Sequence, residues 1–261
     1  TLTDDLIGWD FINHDNDPYD DNGDGTHVAG TIGAIGGNGT GIAGVAWSVQ
    51  IMPIKSFNAA GGTTLSAVTN GLLYPVYIDV GGQKVTAINM SFGDTTTLGG
   101  PFEEAVGFAA QSDILVVAAA GNAAANNDTT PFYPASYDTT AVAGYDAVIS
   151  VASITSSGAL SGFSNYGATT VDLGAPGSSI YSTLPGSSYG VKNGTSMAAP
   201  HVTGAIALYA AANPTATAAE IRNALLTSTA ATASLAGKTV TGGRLDVAAM
   251  MDVVPCFAAG T

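Results

Sequence analysis

The sequence predicts an α/β protein, from its short apolar segments and its Ala-rich stretches. Six segments are rich in Val or Ile, as strands buried on both faces of a sheet are; they cover residues 7–11, 49–56, 85–91, 114–119, 148–153 and 171–173. The long apolar run 198–212 predicts a buried helix, and residues 214–222 predict the start of another, with a proline and a capping threonine. Residues 248–253 predict a final helical stretch.

Composition narrows the class of protein and its partners. The 261 residues fit one large domain with a sizeable core, over residues 1–261. The net charge is −14, so nucleic-acid phosphates would be repelled. One cysteine, Cys256, excludes an intrachain disulfide, and no apolar run reaches the length of a membrane span. We therefore expect a secreted monomer with neither nucleic-acid nor membrane partners.

Ser196 lies in the most informative segment. Residues 193–202, which read NGTSMAAPHV, place it among small residues just before the long apolar run. Small neighbours let a carbonyl group approach the hydroxyl, and a helix that starts here directs its positive end at developing negative charge. Taken alone, the segment is also a common helix cap.

Two further segments fit the chemistry of a nucleophilic serine. In residues 21–32, DNGDGTHVAGTI, His27 stands where an acidic loop meets an apolar stretch, a suitable place for a general base. In residues 116–122, VVAAAGN, a buried strand ends at Asn122, whose amide can donate a hydrogen bond to an oxyanion.

Together the three segments resemble the subtilisin-like serine proteases, the subtilase family. Four more family-like stretches are GIAGVA at 41–46, NMSFG at 89–93, FSNYG at 163–167 and LGAPG at 173–177. The resemblance implies a three-layer α/β/α fold with a mostly parallel central sheet. It also implies an endopeptidase that forms an acyl-enzyme on Ser196, with His27 as the base and Asn122 in the oxyanion hole.

The chain departs from the family at the triad aspartate. In the family this residue ends a buried strand well before the histidine and is followed by Thr/Ser-Gly, and no segment here matches. We therefore expect an N-terminally truncated domain without its first central strand, either as a processed piece or as a natural variant. That strand lies between the family's third and fourth, so segments 49–56 and 85–91 are predicted to close on one another, unless something else fills the slot.

Asp24 is the candidate substitute for the missing carboxylate. It stands where the family usually has a second histidine, in Gly-His-Gly-Thr-His, three residues before His27. A side chain at this separation can reach the imidazole. The alternatives are a carboxylate of the loop or helix start, or a calcium ligand.

The resemblance also assigns a substrate pocket. Two segments form its walls, and their small residues predict a roomy apolar pocket, with tight packing as the alternative; the wall residues are Ser91, Phe92, Gly93, Ala119, Ala120 and Gly121. An extended peptide would pair with the backbone there as an added strand.

Calcium is the one cofactor that the sequence suggests; no organic cofactor is expected. Residues 13–22 gather many oxygen ligands and resemble calcium loops of thermostable subtilases; the candidate ligands are Asp15, Asp17, Asp20 and Asp21. An unliganded acidic loop is the equal alternative. A pro-segment that is not part of this sequence is a further candidate partner.

Two functions follow from these observations. One is a serine hydrolase that cleaves peptides, and also esters. The other is a catalytically impaired subtilase scaffold that binds peptide strands or a partner, or that retains only promiscuous esterase activity. The retained Ser196, His27 and Asn122 favour the first function, and the missing Asp strand favours the second.

Overall fold

The computed structural model of the chain describes residues 7–78 and 84–253. The strands are β1 (Trp9–Asp10), β2 (Ile54–Lys55), β3 (Ala87–Met90), β4 (Leu115–Ala119), β5 (Val148–Ile154), β6 (Leu173–Pro176), β7 (Ile180–Leu184), β8 (Ser188–Lys192), β9 (Ala230–Ala231) and β10 (Gly243–Arg244). The helices are α1 (Asp24–Gly33), α2 (Leu65–Tyr77), α3 (Gly100–Gln111), α4 (Thr140–Ala143), α5 (Thr195–Ala212), α6 (Ala218–Thr227) and α7 (Val247–Met251), with a 3₁₀ turn at Ala233–Leu235.

The central sheet has six strands in the order β3-β4-β5-β6-β10-β9. Every pair from β3 to β10 is parallel, and only β9 is antiparallel, at one edge. Strands β1 and β2 form a separate parallel pair, and β7 and β8 form an antiparallel hairpin. The predicted mostly parallel sheet is confirmed.

Helices cover both faces of this sheet. Side chains of β4 alternate between two cores: Leu115 and Val117 belong to the core with α5, α6 and α7, whereas Val116 and Ala118 belong to the core with α2 and α3. This alternation follows from the two-residue period of a strand. The three-layer α/β/α architecture is therefore confirmed.

The predicted closure of the sheet is wrong. Segments 49–56 and 85–91 supply β2 and β3, but these strands belong to different sheets. An apolar cluster of Trp9, Phe11, Ala67 and Tyr74 packs the β1–β2 pair against α2 and so keeps β2 from pairing with β3. Strand β3 is consequently an edge strand that pairs only with β4 among the described strands.

Two local arrangements position the helices around the site. Asp20 holds the start of α1, because its carboxylate accepts hydrogen bonds from the backbone N–H of Gly23 and from both the N–H and the hydroxyl of Thr26. Helix α6 begins with a capping box between Thr217 and Glu220, as its sequence predicted. No helix in the described ranges is long and apolar enough to cross a bilayer.

Candidate active site

The candidate nucleophile lies where parallel strands end. Ser91 follows β3, Asn122 comes three residues after β4, and Ser196 lies in the first turn of α5. Open parallel sheets bind their ligands at this carboxyl edge, where loops and helix starts converge. The fold therefore brings together the serine and the amide that the sequence singled out.

Ser196 is held by reciprocal hydrogen bonds to Ser91. The Ser196 hydroxyl donates to the Ser91 carbonyl at 3.1 Å, and the Ser91 hydroxyl donates to the Ser196 carbonyl at 2.7 Å. Asn89 donates from its amide to the Ser91 hydroxyl at 2.9 Å. Ser196 is half-buried, so its hydroxyl is fixed at the surface of the cleft.

Asn122 points its amide nitrogen toward the same place. Its Oδ1 accepts from the backbone N–H of Thr195 at 2.9 Å and from the Thr195 hydroxyl at 3.0 Å, which leaves Nδ2 as the outward donor. An ideal Cβ built on Gly194 would lie 3.5 Å from Asn122 Nδ2 and 3.6 Å from the backbone nitrogen of Ser196. Two nitrogen donors therefore lie near one point beside Gly194, at distances longer than the about 2.7–3.1 Å of a formed oxyanion contact.

His27 lies elsewhere. The residue is 0% exposed, and its Nε2 contacts the carbonyl oxygen of Ile180, on β7, at 3.0 Å. A carbonyl oxygen only accepts, so Nε2 carries the proton and Nδ1 holds the lone pair. Nδ1 is buried and has no hydrogen-bond partner within the described ranges. Burial lowers the pKa of His27, an effect partly offset by the Ile180 and Gly190 carbonyls.

This geometry contradicts the prediction that His27 is the general base of Ser196. No hydrogen bond joins the two residues in the described part of the chain, and the imidazole proton is already committed to Ile180. The reason is that His27 lies on the face of α1 that packs against β7 and α5, so its ring is part of a helix–hairpin interface.

Asp24 does not replace the triad aspartate. Its carboxylate pairs with the ammonium group of Lys192, on β8, and no hydrogen bond joins it to His27 within the described ranges. The Asp24 side chain is 66% exposed at the first residue of α1. The family usually has a histidine at each of these two positions. In this chain the exposed position is Asp24 and the buried position is His27.

Phe132, a residue that the sequence did not single out, lies beside the predicted walls of the substrate pocket. Ala119 and Ala120 are buried, whereas Gly93 is exposed at the surface. Ideal Cβ atoms on Gly93 and Gly121 would lie 2.4 and 3.2 Å from ring atoms of Phe132. The ring of Phe132 therefore lies against both predicted walls, and the size of the pocket stays a prediction. No local signal marks Phe132, since the contact joins segments far apart in the chain.

The acidic side chains of the first loop have partners within the protein. No group of three His, Cys, Asp or Glu side chains within residues 7–78 and 84–253 is placed to hold a metal. The four candidates have other partners: Asp20 caps α1, Asp21 pairs with Lys55, and Asp15 and Asp17 accept from backbone N–H groups two residues further along. Calcium binding by this loop stays a prediction.

Comparisons with known proteins agree with this fold. The model of the subtilase family matches residues 3–245. Thermitase of Thermoactinomyces vulgaris is 42% identical over 203 residues, which cover 78% of this chain and 66% of thermitase. Subtilisin DY of Bacillus licheniformis is 41% identical over 224 residues, or 84% of this chain and 74% of that protein.

A solved structure gives the same result. A cold-adapted subtilisin-like serine proteinase superposes with a TM-score of 0.73 at 33% identity, covering 92% of this chain and 78% of the other. The matched segments span 66% of thermitase and 47% of a thermophilic serine proteinase of Bacillus sp. strain AK1. The family match, the sequence identities and the superposed fold agree, and the chain belongs to the subtilase family.

Proposed function

We propose that this chain is a serine hydrolase of the subtilisin-like endopeptidase type, with Ser196 as the nucleophile. The observation that carries the proposal is the point beside Gly194 that lies 3.5 Å from Asn122 Nδ2 and 3.6 Å from the Ser196 nitrogen. When Ser196 Oγ attacks a carbonyl carbon, the carbonyl oxygen gains negative charge. Two donors that converge beside the nucleophile stabilise that charge before the leaving group departs.

Turnover in this arrangement is slow, because no base of residues 7–78 or 84–253 forms a hydrogen bond with the Ser196 hydroxyl. The Ser196 hydroxyl donates to the Ser91 carbonyl, which is too weakly basic to take its proton. In subtilisin, a relative of this chain, removal of the histidine costs about 2 × 10⁶ in kcat, and about 10³–10⁴ over the uncatalysed reaction remains. An activated ester, whose leaving group needs no protonation, is therefore the better substrate, and peptide bonds are cleaved more slowly.

A second candidate function is peptide binding without efficient turnover. It is favoured by the commitment of His27 to Ile180 at 3.0 Å and of Asp24 to Lys192. The strand ends around Ser91 and Asn122 would hold an extended peptide even where the bond is not broken. The two functions share one cleft and differ only in the chemical step.

We also propose secretion, and the composition supports it. Charged residues make up only 10% of the chain and acidic groups outnumber basic ones, so hydration of the surface depends on Ser, Thr, Asn and Gly. Detection of the chain in the culture medium of its source, rather than in the cell pellet, tests this part of the proposal.

The function is tested by the release of p-nitrophenol from a short-chain ester and of p-nitroaniline from a tetrapeptide anilide. Both rates should fall to background in Ser196→Ala. The matched control is Ser112→Ala, an exposed serine that follows α3 at the opposite edge of the sheet, and it should behave as the wild-type chain does. Inert substrates, combined with measurable binding of the peptide, would favour the second candidate.

A further inference from the structure

The ring of Phe132 lies against both wall segments of the predicted substrate pocket. An ideal Cβ on Gly93 would lie 2.4 Å from Phe132 Cε1 and 2.9 Å from Cζ, and one on Gly121 would lie 3.2 Å from Cδ1. One edge of the ring therefore runs from one wall to the other. Gly93 comes two residues after Ser91, and Gly121 directly precedes Asn122, so the ring lies beside the candidate oxyanion hole.

The backbone around Phe132 is anchored on both sides. Its N–H donates to the hydroxyl of Ser136 at 3.0 Å, and its carbonyl accepts from the Ser136 N–H at 2.9 Å. The next residue, Tyr133, exchanges two backbone hydrogen bonds with Asp94, at 2.8 and 2.9 Å, directly beyond Gly93. The ring is thus carried by a segment whose backbone is hydrogen-bonded to the wall. Displacing that backbone segment would break those hydrogen bonds.

Two side chains border this space, the ring of Phe132 and the amide of Asn165, which lies nearer than the ring to an ideal Cβ on Gly121. Both glycines contribute no side chain, and Phe92 packs against Phe57 with ring centroids 4.9 Å apart. Phe132 also packs against the apolar core beneath α2 and α3 and is half-buried, so part of the residue is accessible to solvent.

We infer that Phe132 limits the side chain next to the scissile bond to small residues such as glycine and alanine. The inference rests on the proposed function, because it assumes that a peptide carbonyl is presented to Ser196. A side chain on that residue would enter the space between Gly93 and Gly121, and a phenyl or long aliphatic group would meet the ring of Phe132. A close-packed interior does not yield to such a group without displacing its neighbours.

The experiment measures peptide binding, so that it does not depend on turnover. Acetylated tetrapeptide carboxylates ending in Ala or in Phe are titrated by calorimetry into the Ser196→Ala chain, with and without Phe132→Ala. We expect the parent to bind the Ala peptide at least about tenfold more tightly than the Phe peptide. With Phe132→Ala the order should reverse by a similar factor, because the ring of the peptide takes the place of the lost one.

Two further variants keep the test decisive. Phe132→Leu should shift the preference part of the way, and it answers the question if Phe132→Ala fails to fold. Phe108→Ala is the matched control, because Phe108 is an exposed phenylalanine on α3, and it should leave the parent preference unchanged. Equal binding of both peptides by the parent, or an unchanged preference in folded Phe132→Ala or Phe132→Leu, overturns the inference while leaving the proposed function intact. Failure of every peptide to bind overturns both.

Discussion

The two halves of the candidate site differ in how completely they are assembled. On the serine side, Ser196, Ser91 and Asn122 are joined by hydrogen bonds of 2.7–3.1 Å to one another or to Thr195. On the histidine side, His27 is turned into the interface of α1 with β7, and Asp24 is paired with Lys192. Both halves carry family motifs of similar clarity in the sequence.

The difference follows from what supports each half. The serine side rests on β3, β4 and α5, which pack against one another through the main cores. The histidine side rests on α1, which packs on the β7–β8 hairpin and α5. Within the described residues, the proposed oxyanion donors therefore lie beside Ser196, whereas His27 makes no hydrogen bond to it. Four predictions test this contrast, from the largest expected effect to the smallest.

Replacing Asn122 by alanine should have the largest effect. If the serine side is preorganised, loss of the Nδ2 donor should reduce kcat for the ester about 10²–10³-fold, as loss of such a donor does in subtilisin, a relative. Asn126→Ala, a change in the same loop, should leave kcat nearly unchanged. A fall of less than about twofold in Asn122→Ala would show that the two donors do not act on the oxyanion.

Asp24→His should raise activity. The position is open to solvent at the start of α1, so an imidazole there can act as a base that the chain otherwise lacks. General-base catalysis contributes about 10²–10⁴-fold, and without an orienting carboxylate we expect the lower end for ester hydrolysis. Asp24→Asn removes the charge without supplying a base, and any equal gain in that variant would contradict the explanation.

His27→Leu should separate structure from catalysis. The change leaves the Ile180 carbonyl without its donor, so we expect the free energy of unfolding in urea to fall by about 1–3 kcal/mol. Ester hydrolysis under conditions where the variant is folded should stay within about twofold of the parent. A drop of a hundredfold or more would restore His27 to the role of base.

The pH dependence of stability should give the smallest effect. Burial lowers the pKa of His27, so below pH 6.5 the unfolded chain takes up a proton that the folded chain resists. Stability should therefore decrease as the pH falls from 7.5 to 6, by at most about 0.8 kcal/mol for this residue.

Urea midpoints at several pH values measure this dependence, and part of the slope should vanish in His27→Leu but persist in His14→Leu. The range includes the upper half of the titration of Asp172, whose pKa burial raises to about 6 and whose protonation in the folded chain increases stability as the pH falls. The difference in slope between the parent and His27→Leu therefore reports His27, because Asp172 contributes equally to both. An identical slope in His27→Leu would mean that the imidazole is not held in its neutral form.

The sequence was sufficient for the parts of the molecule that depend on local patterns. The buried strands at 114–119 and 148–153 and the long helix at 198–212 follow from apolar runs and are present as β4, β5 and α5. Asn122 and Ser196 were located because each directly follows or opens such an element. In these cases the local pattern and the tertiary position carry the same information.

The errors arose where distant segments decide the outcome. The sequence does not show whether a histidine at the start of a helix faces a cleft or a neighbouring hairpin. For His27 the packing of α1 on β7 determines the orientation. The acidic residues of the first loop suggested a metal, and the sequence did not reveal two other contacts there. Asp20 accepts a hydrogen bond from the Thr26 hydroxyl, and Asp21 forms an ion pair with Lys55. Phe132 reaches Gly93 and Gly121 only through the tertiary fold.

The one-sided pairing of β3 has a consequence for how the protein behaves at high concentration. Its residues are mostly half-buried, and in the described part of the chain they carry no lysine or proline on Ala87–Met90 to discourage a second strand. An apolar strand with free N–H and C=O groups is a template for self-association. The chain has a net charge of −14, but none of the charged side chains lies on Ala87–Met90. Solubility should therefore be limited by edge-to-edge contact between molecules rather than by net charge.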